Sequence, residues 1–150
     1  MSITMKTPHT VHLAGPAPVV DDLPAVGAIT PGMLLDYEDN SGVLSVSVHD
    51  AAADVQTTLV ALERSENNLG VDDAYAEGDI VKFGTLQPGS IFWGLIASGQ
   101  DIAVAEKMQS NGDGYLKEAT ADTAAASVAK FAALEAKVAT ADTRIRVVVL

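Results

Sequence analysis

The chain has 150 residues, 48% of them hydrophobic and 19% charged, with a formal net charge of −11 and no cysteine. That size suits one domain able to bury roughly 70% of the surface its unfolded form exposes, while the missing cysteines exclude disulfides and thiolate metal sites. An excess of 20 acidic over 9 basic residues opposes binding to phosphate backbones, and no apolar run reaches the roughly 18 residues of a spanning helix. With no basic-then-apolar leader either, a soluble, unprocessed protein is expected, made in a reducing cytoplasm, with no nucleic-acid or membrane partner. The charge itself is read as an aid to solubility.

Residues 1–27 hold four of the six prolines, Pro8, Pro16, Pro18 and Pro24, a density that opposes helix interiors and central strands. An extended N-terminal arm is predicted there, ahead of one β-rich domain over 28–150. The arm's apolar residues cannot form a core of their own and need a surface to lie on. From residue 29 short apolar runs alternate with Gly, Pro, Asn and Asp, as in strands joined by turns. A turn at 30–32 leads to a strand over 33–37, a turn over 38–42 and an alternating strand over 43–48, with Leu44, Val46 and Val48 on one face.

A strand is expected over 57–63 with Thr58, Val60 and Leu62 together. Strands follow at 80–83 and 90–97, then a tight turn at 111–114 (Asn-Gly-Asp-Gly), where asparagine and glycine suit positive φ, and a strand over 115–118. Residues 119–143 hold 11 alanines; propensity favours helix, yet 128–138 also alternates, so both assignments stay open. The last strand, 144–150, puts Ile145, Val147 and Val149 on one face. The expected fold is mainly β, a compact barrel or sandwich with at most one short helix.

No catalytic constellation stands out. His9 and His12 are three apart and point to opposite sides of an extended segment, so they read as contact or solvated side chains. His49-Asp50 lacks a nucleophile elbow, and neighbours on a strand point apart. The acids Asp36, Glu38 and Asp39 lack the glycine and glutamate of a calcium loop and read, like Asp72-Asp73, as turn chemistry. No glycine string cradles a phosphate. Phe92 and Trp93 face opposite ways on an ideal strand, one to the core and one to an interface, unless a twist or bulge buries both. Neither a cofactor nor a metal is expected, and no enzyme activity.

Ordered along the chain, Ala28-Ile-Thr-Pro-Gly-Met-Leu-Leu35, Tyr75-Ala-Glu-Gly-Asp-Ile-Val-Lys82, Leu86-Gln-Pro-Gly89, Leu95-Ile-Ala-Ser-Gly99, Gln109-Ser-Asn-Gly-Asp-Gly-Tyr-Leu-Lys117 and Arg144-Ile-Arg-Val-Val-Val-Leu150 resemble the capsid decoration (cement, head-stabilising) proteins of tailed bacteriophages. The likeness breaks over 51–70 and after Thr120. It implies a β-barrel-like domain on the outside of an expanded capsid, often a trimer, partnered by the major capsid protein. It also implies an arm that crosses neighbouring coat subunits, and no catalytic residues. The expected coat contacts are Ile3, Met5, His9, Val11, His12, Leu13, Pro16 and Pro18, with Phe92 and Trp93 as interface or core. Two alternatives remain: a sugar-binding or adhesin-like β module using Trp93 or Tyr75 as a stacking platform, and another head or tail component. A hydrolase with an unrecognised site ranks below both.

Overall fold

The computed structural model describes residues 8–50, 58–119, 130–141 and 143–150. Thirteen strands are assigned among them, in order β1 (His12–Ala14), β2 (Val19–Pro24), β3 (Leu35–Asn40), β4 (Val43–Val48), β5 (Leu59–Ala61), β6 (Ile80–Thr85), β7 (Ile91–Ile96), β8 (Asp101–Ile102), β9 (Lys107–Ser110), β10 (Leu116–Glu118), β11 (Phe131–Ala133), β12 (Lys137–Val138) and β13 (Thr143–Val149). The only helical turn among them is a 3-10 turn at Ser65–Asn67.

Five strands close on themselves. β7 pairs with β13, β13 with β11, β11 with β9, β9 with β10, and β10 returns to β7 through a parallel contact at Leu116–Ile96. Closure removes the open edges through which a sheet can pair with other chains. The interior follows from strand alternation: Ile145, Val147 and Val149 of β13 all point inward, as their spacing predicts. They meet Phe92 and Ile96 of β7, Met108, Leu116 and Phe131. Phe92 and Phe131 pack edge to face at 5.7 Å, a favoured quadrupole arrangement. Gly94 leaves them room, because a Cβ there would lie 3.0 Å from Phe92 Cε2 and 3.1 Å from Leu116 Cδ1.

The helix-or-strand question over 119–143 is decided where the residues are described. Residues 131–133 and 137–138 are strands, and Phe131 is an inner barrel residue. Alanine's helix propensity amounts to a few tenths of a kcal/mol per residue, whereas burying a phenylalanine is worth about 2 kcal/mol. Residues 120–129 lie outside the described set.

Beside the barrel sits a second, smaller core. Sheet β2-β6-β5 and the hairpin β3-β4 enclose Leu35, Val46, Leu59, Ala61, Tyr75, Val81 and Phe83. β5 is buried throughout and serves both cores: Leu59 and Ala61 face the small one, Val60 the barrel-side cluster. This explains why its three residues are all apolar, as expected of a strand covered on both faces. Val60 and Leu62 share the barrel-side cluster as expected.

Several strand ends shift by a few residues from expectation, most of all at the first hairpin. β3 runs on to Asn40 and only Ser41 and Gly42 turn, both with positive φ (52° and 85°), the geometry of a two-residue hairpin loop. Asp39 Oδ1 accepts the Gly42 N–H at 2.6 Å, so the acid expected in a long turn instead closes a short one.

The larger difference is the arm. From residue 8 onward it belongs to the domain: β1 pairs antiparallel with β7, and β2 pairs with β6 over six residues, Val19 to Pro24. The prolines are accommodated at a strand end and between strands, where no ladder donor is required. The surface that the segment needed is its own fold. Residues 1–7 lie outside the described set.

Candidate interaction surface

Of the expected coat contacts, Ile3 and Met5 lie outside the described residues, and the others part company. Val11 is fully buried in the barrel-side core; its N–H donates to Glu63 Oε2 at 2.9 Å and its carbonyl accepts the Trp93 N–H at 2.7 Å. It therefore cannot face a partner. Val11 sits in the bend just ahead of β1, and its backbone bonds to Glu63 and Trp93 hold its side chain inward. His9 and Pro16 are exposed, while His12, Leu13 and Pro18 are half-buried. His12 Nε2 lies 3.1 Å from the Pro16 carbonyl, which also accepts from Ser90 Oγ at 2.9 Å, so this bend is tied down by local bonds.

Phe92 and Trp93 are both buried. Phe92 fills the barrel; Trp93, on the outer wall, is covered by Arg146, whose guanidinium carbon sits 5.5 Å from the ring centroid. Burial of both makes them core residues rather than an interface pair. It also removes Trp93 as a stacking platform for a sugar ring. Tyr75 is likewise only 5% exposed, with its hydroxyl donating to the Leu62 carbonyl at 2.7 Å. Tyr37, 54% exposed, is the aromatic ring most open to solvent.

The histidine next to Asp50 has another partner. His49 and Ser110 are both almost completely buried, and His49 Nδ1 lies 2.7 Å from Ser110 Oγ, which also accepts the Gly112 N–H. With His49 N–H donating to the Leu34 carbonyl and its own carbonyl accepting from Gly114, this pair ties the end of β4 to the β9-β10 turn. Neither side chain reaches solvent, so the pair holds two loops together rather than presenting a nucleophile. Ser110→Ala should destabilise the domain by about 2 kcal/mol, the cost of stranding a buried polar atom, measured by urea unfolding; a change under about 0.5 kcal/mol would be that of an ordinary surface substitution.

The acids behave as turn residues. Asp73 accepts the Gly70 N–H, Asp79 that of Ala76, Glu106 that of Ala103 and Asp113 that of Tyr115. Among the described residues no group of three metal-donor side chains assembles, and no helix is long and apolar enough to cross a membrane. One carboxyl pair is mutually unfavourable: a hydrogen bond that the protonated Glu118 carboxyl donates to Glu106, then the Glu106 charge, raises the Glu118 pKa. A carboxyl with a raised folded pKa costs stability while ionised and is relieved as pH falls through that value. Glu118→Gln should therefore raise the melting temperature at neutral pH, and the gain should vanish as the pH drops toward the ordinary carboxyl range. A gain independent of pH would point to another cause.

Besides Leu69, Ile80 and Leu150, the outward-facing large apolar side chains gather in two places. One surrounds the small core's open end, with Val19, Tyr37 and Leu44 on the inward faces and Val20 and Val43 on the opposite ones, all between 49% and 64% exposed. The other is the β8-β12 end, with Val104, Leu134 and Val138. The sequence did not single out these positions, because Leu44 and Tyr37 alternate as core residues and only the lack of a covering layer exposes them. A shallow groove of about 440 Å³ lies between Arg64, Leu69, Tyr75 and Ile80. Arg64 in it is already engaged by Asp22, Glu66 and the Ile80 carbonyl.

A closed five-stranded barrel carrying a small two-layer flank, with its carboxylates engaged in turns and ion pairs, is the class of domain that the fold defines. No family model matches the chain, and no curated protein matches it. Among solved structures it is similar to the N base of head fiber gp8.5 of bacteriophage phi29, at 16% identity and a TM-score of 0.60, over 89% of this chain and 95% of that one. At that identity the likeness is one of fold.

Proposed function

We propose that this chain is a structural protein of a phage head, a decoration protein that binds the outer surface of the expanded capsid and stabilises it. The observation that carries this is the fold shared with a head-fiber base over nearly the whole of both chains. The net charge of −11 favours the exterior, away from packaged DNA. The chain is made in the host cytoplasm and partnered by the major capsid protein, most simply as a trimer. It acts without catalysis: a protein that binds only the expanded shell stabilises that state by mass action, by about 2.7 kcal/mol per site at 100 times its Kd.

The test is sedimentation of purified protein with expanded shells of the encoding phage that lack it. Co-pelleting at saturable stoichiometry, with shells that resist heat better, is the expected result; protein left in the supernatant would refute the proposal. Light scattering of the free protein checks the trimer. The arm's part narrows to what lies ahead of β1, since removing β1 and β2 would dismantle both sheets. Deleting residues 1–7 should weaken shell binding if that end reaches a neighbouring coat subunit; unchanged affinity removes it from the contact.

A further inference from the structure

The small core is open on one side, and the residues left there are core residues by their alternation. In the β3-β4 hairpin, Leu35 pairs with Val48, Tyr37 with Val46 and Asp39 with Leu44, so these six side chains share a face. Leu35 and Val46 on that face are buried, yet Tyr37 and Leu44 are 54% and 57% exposed. The opposing sheet repeats the pattern. Val19, Asp21 and Leu23 of β2 lie on the face of Thr85, Phe83 and Val81 of β6; Phe83 and Val81 are buried, but Val19 is 64% exposed. Tyr37 bridges the layers, its ring edge-on to Phe83 at 6.0 Å. Two inward faces thus run past the end of their common core, and the carboxylates of Asp21 and Asp39 stand on the same faces.

We propose that the open end of the small core, formed by Val19, Tyr37 and Leu44 with Asp21 and Asp39, receives a cationic segment of the coat shell: one or two apolar side chains flanked by Lys or Arg. This rests on the head-surface function above and names the side of the domain that makes the contact. Charge selects the occupant. A second copy of this chain would bring a further −11 charge and its own aspartates against these, whereas a basic segment neutralises them. The hairpin is also prepared for docking, because the Asp39 bond to Gly42 and the two-residue turn fix the tip before binding and reduce the ordering cost.

The experiment titrates wild type and variants onto expanded shells of the encoding phage, at low and high salt. Leu44→Ser alone, and Tyr37→Ser with Leu44→Ser, should weaken binding about tenfold or more, while Val104→Ser with Val138→Ser at the other apolar end should not. Asp21→Asn with Asp39→Asn keeps the oxygens that cap Asp22 and Gly42 but should flatten the salt dependence. Leu44 is more than half exposed, so its single variant separates lost binding from lost folding, checked by melting temperature. Variants that bind like wild type overturn the inference and leave the head-surface function standing; wild type that fails to bind overturns that function and this inference with it. If the Tyr37 and Leu44 substitutions dissolve a wild-type oligomer in light scattering, a second copy occupies the face and the inference is wrong.

Discussion

Phe92→Ala should cost about 4 kcal/mol, a large share of the stability of a domain this size. Phe92 is fully buried at the centre of the closed barrel, edge-to-face with Phe131 and opposite Val147 across the β7-β13 ladder. Removing its ring leaves a void that cannot collapse, because the surrounding strands are locked to one another around a closed circuit. A protein without a barrel could relax by sliding one layer. Urea unfolding followed by circular dichroism measures the loss as a lower midpoint at unchanged slope. A cost below about 1.5 kcal/mol would mean that the barrel repacks and that closure does not constrain it. Tyr37→Ser, half-exposed on the other core, should by contrast cost much less, which is why it serves to test binding.

Arg144→Ala should cost about 3 kcal/mol, and its partner Asp72→Asn under about 1 kcal/mol. The asymmetry follows from where the two ends of the pair sit. The Arg144 side chain is only 10% exposed and Asp72 88%. The guanidinium donates to the Val71 carbonyl, to the Trp93 carbonyl at 3.4 Å and to Asp72 Oδ1 at 3.2 Å, fastening the loop before Tyr75 onto the outer wall of β7 and β13. Burial holds the Arg144 pKa below the usual arginine value, with Asp72 pulling it back up. Truncation strands two carbonyls and empties the space beside Gly32; neutralising Asp72 removes a solvent-exposed charge that water replaces. Equal costs for the two variants would show the ion pair itself to be the stabilising element. Arg144→Lys should fall between, since an ammonium cannot span three acceptors set around a planar fork.

The turns and most strands were legible in the sequence because their causes are local. The last strand is the clearest case: Ile145, Val147 and Val149 alternate, and all three are buried. The glycine-rich turn at 111–114, the strands at 43–48 and near 80 and 91, and the mainly β class follow from the same alternation and turn chemistry. The turn roles of Asp39 and Asp73 were equally readable, since an aspartate two or three residues from a backbone N–H caps it whatever the rest of the chain does.

Other features depended on which residues meet across the fold. The alternation of 43–48 assigned Leu44 to a buried face, and only the missing cover beyond the small core exposes it. Composition marked 1–27 as an arm, but the edges of β6 and β7 are supplied by distant parts of the chain, and their unpaired ladders are what draw in β2 and β1. Trp93 and Phe92 were expected on opposite sides, which is correct; that both sides are covered depended on Arg146 and the segment around Val11. The alanine-rich stretch had a helical propensity that the open pairing positions on β9 and β13 outweighed at Phe131. The sequence by itself determined a β protein built on alternating strands and acid-capped turns, because those are interactions between residues a few positions apart. Only the tertiary structure decided that five strands close into a barrel, that the N-terminal segment from residue 8 pairs into the domain, and which apolar face is left open, because each depends on long-range pairing that no local pattern encodes.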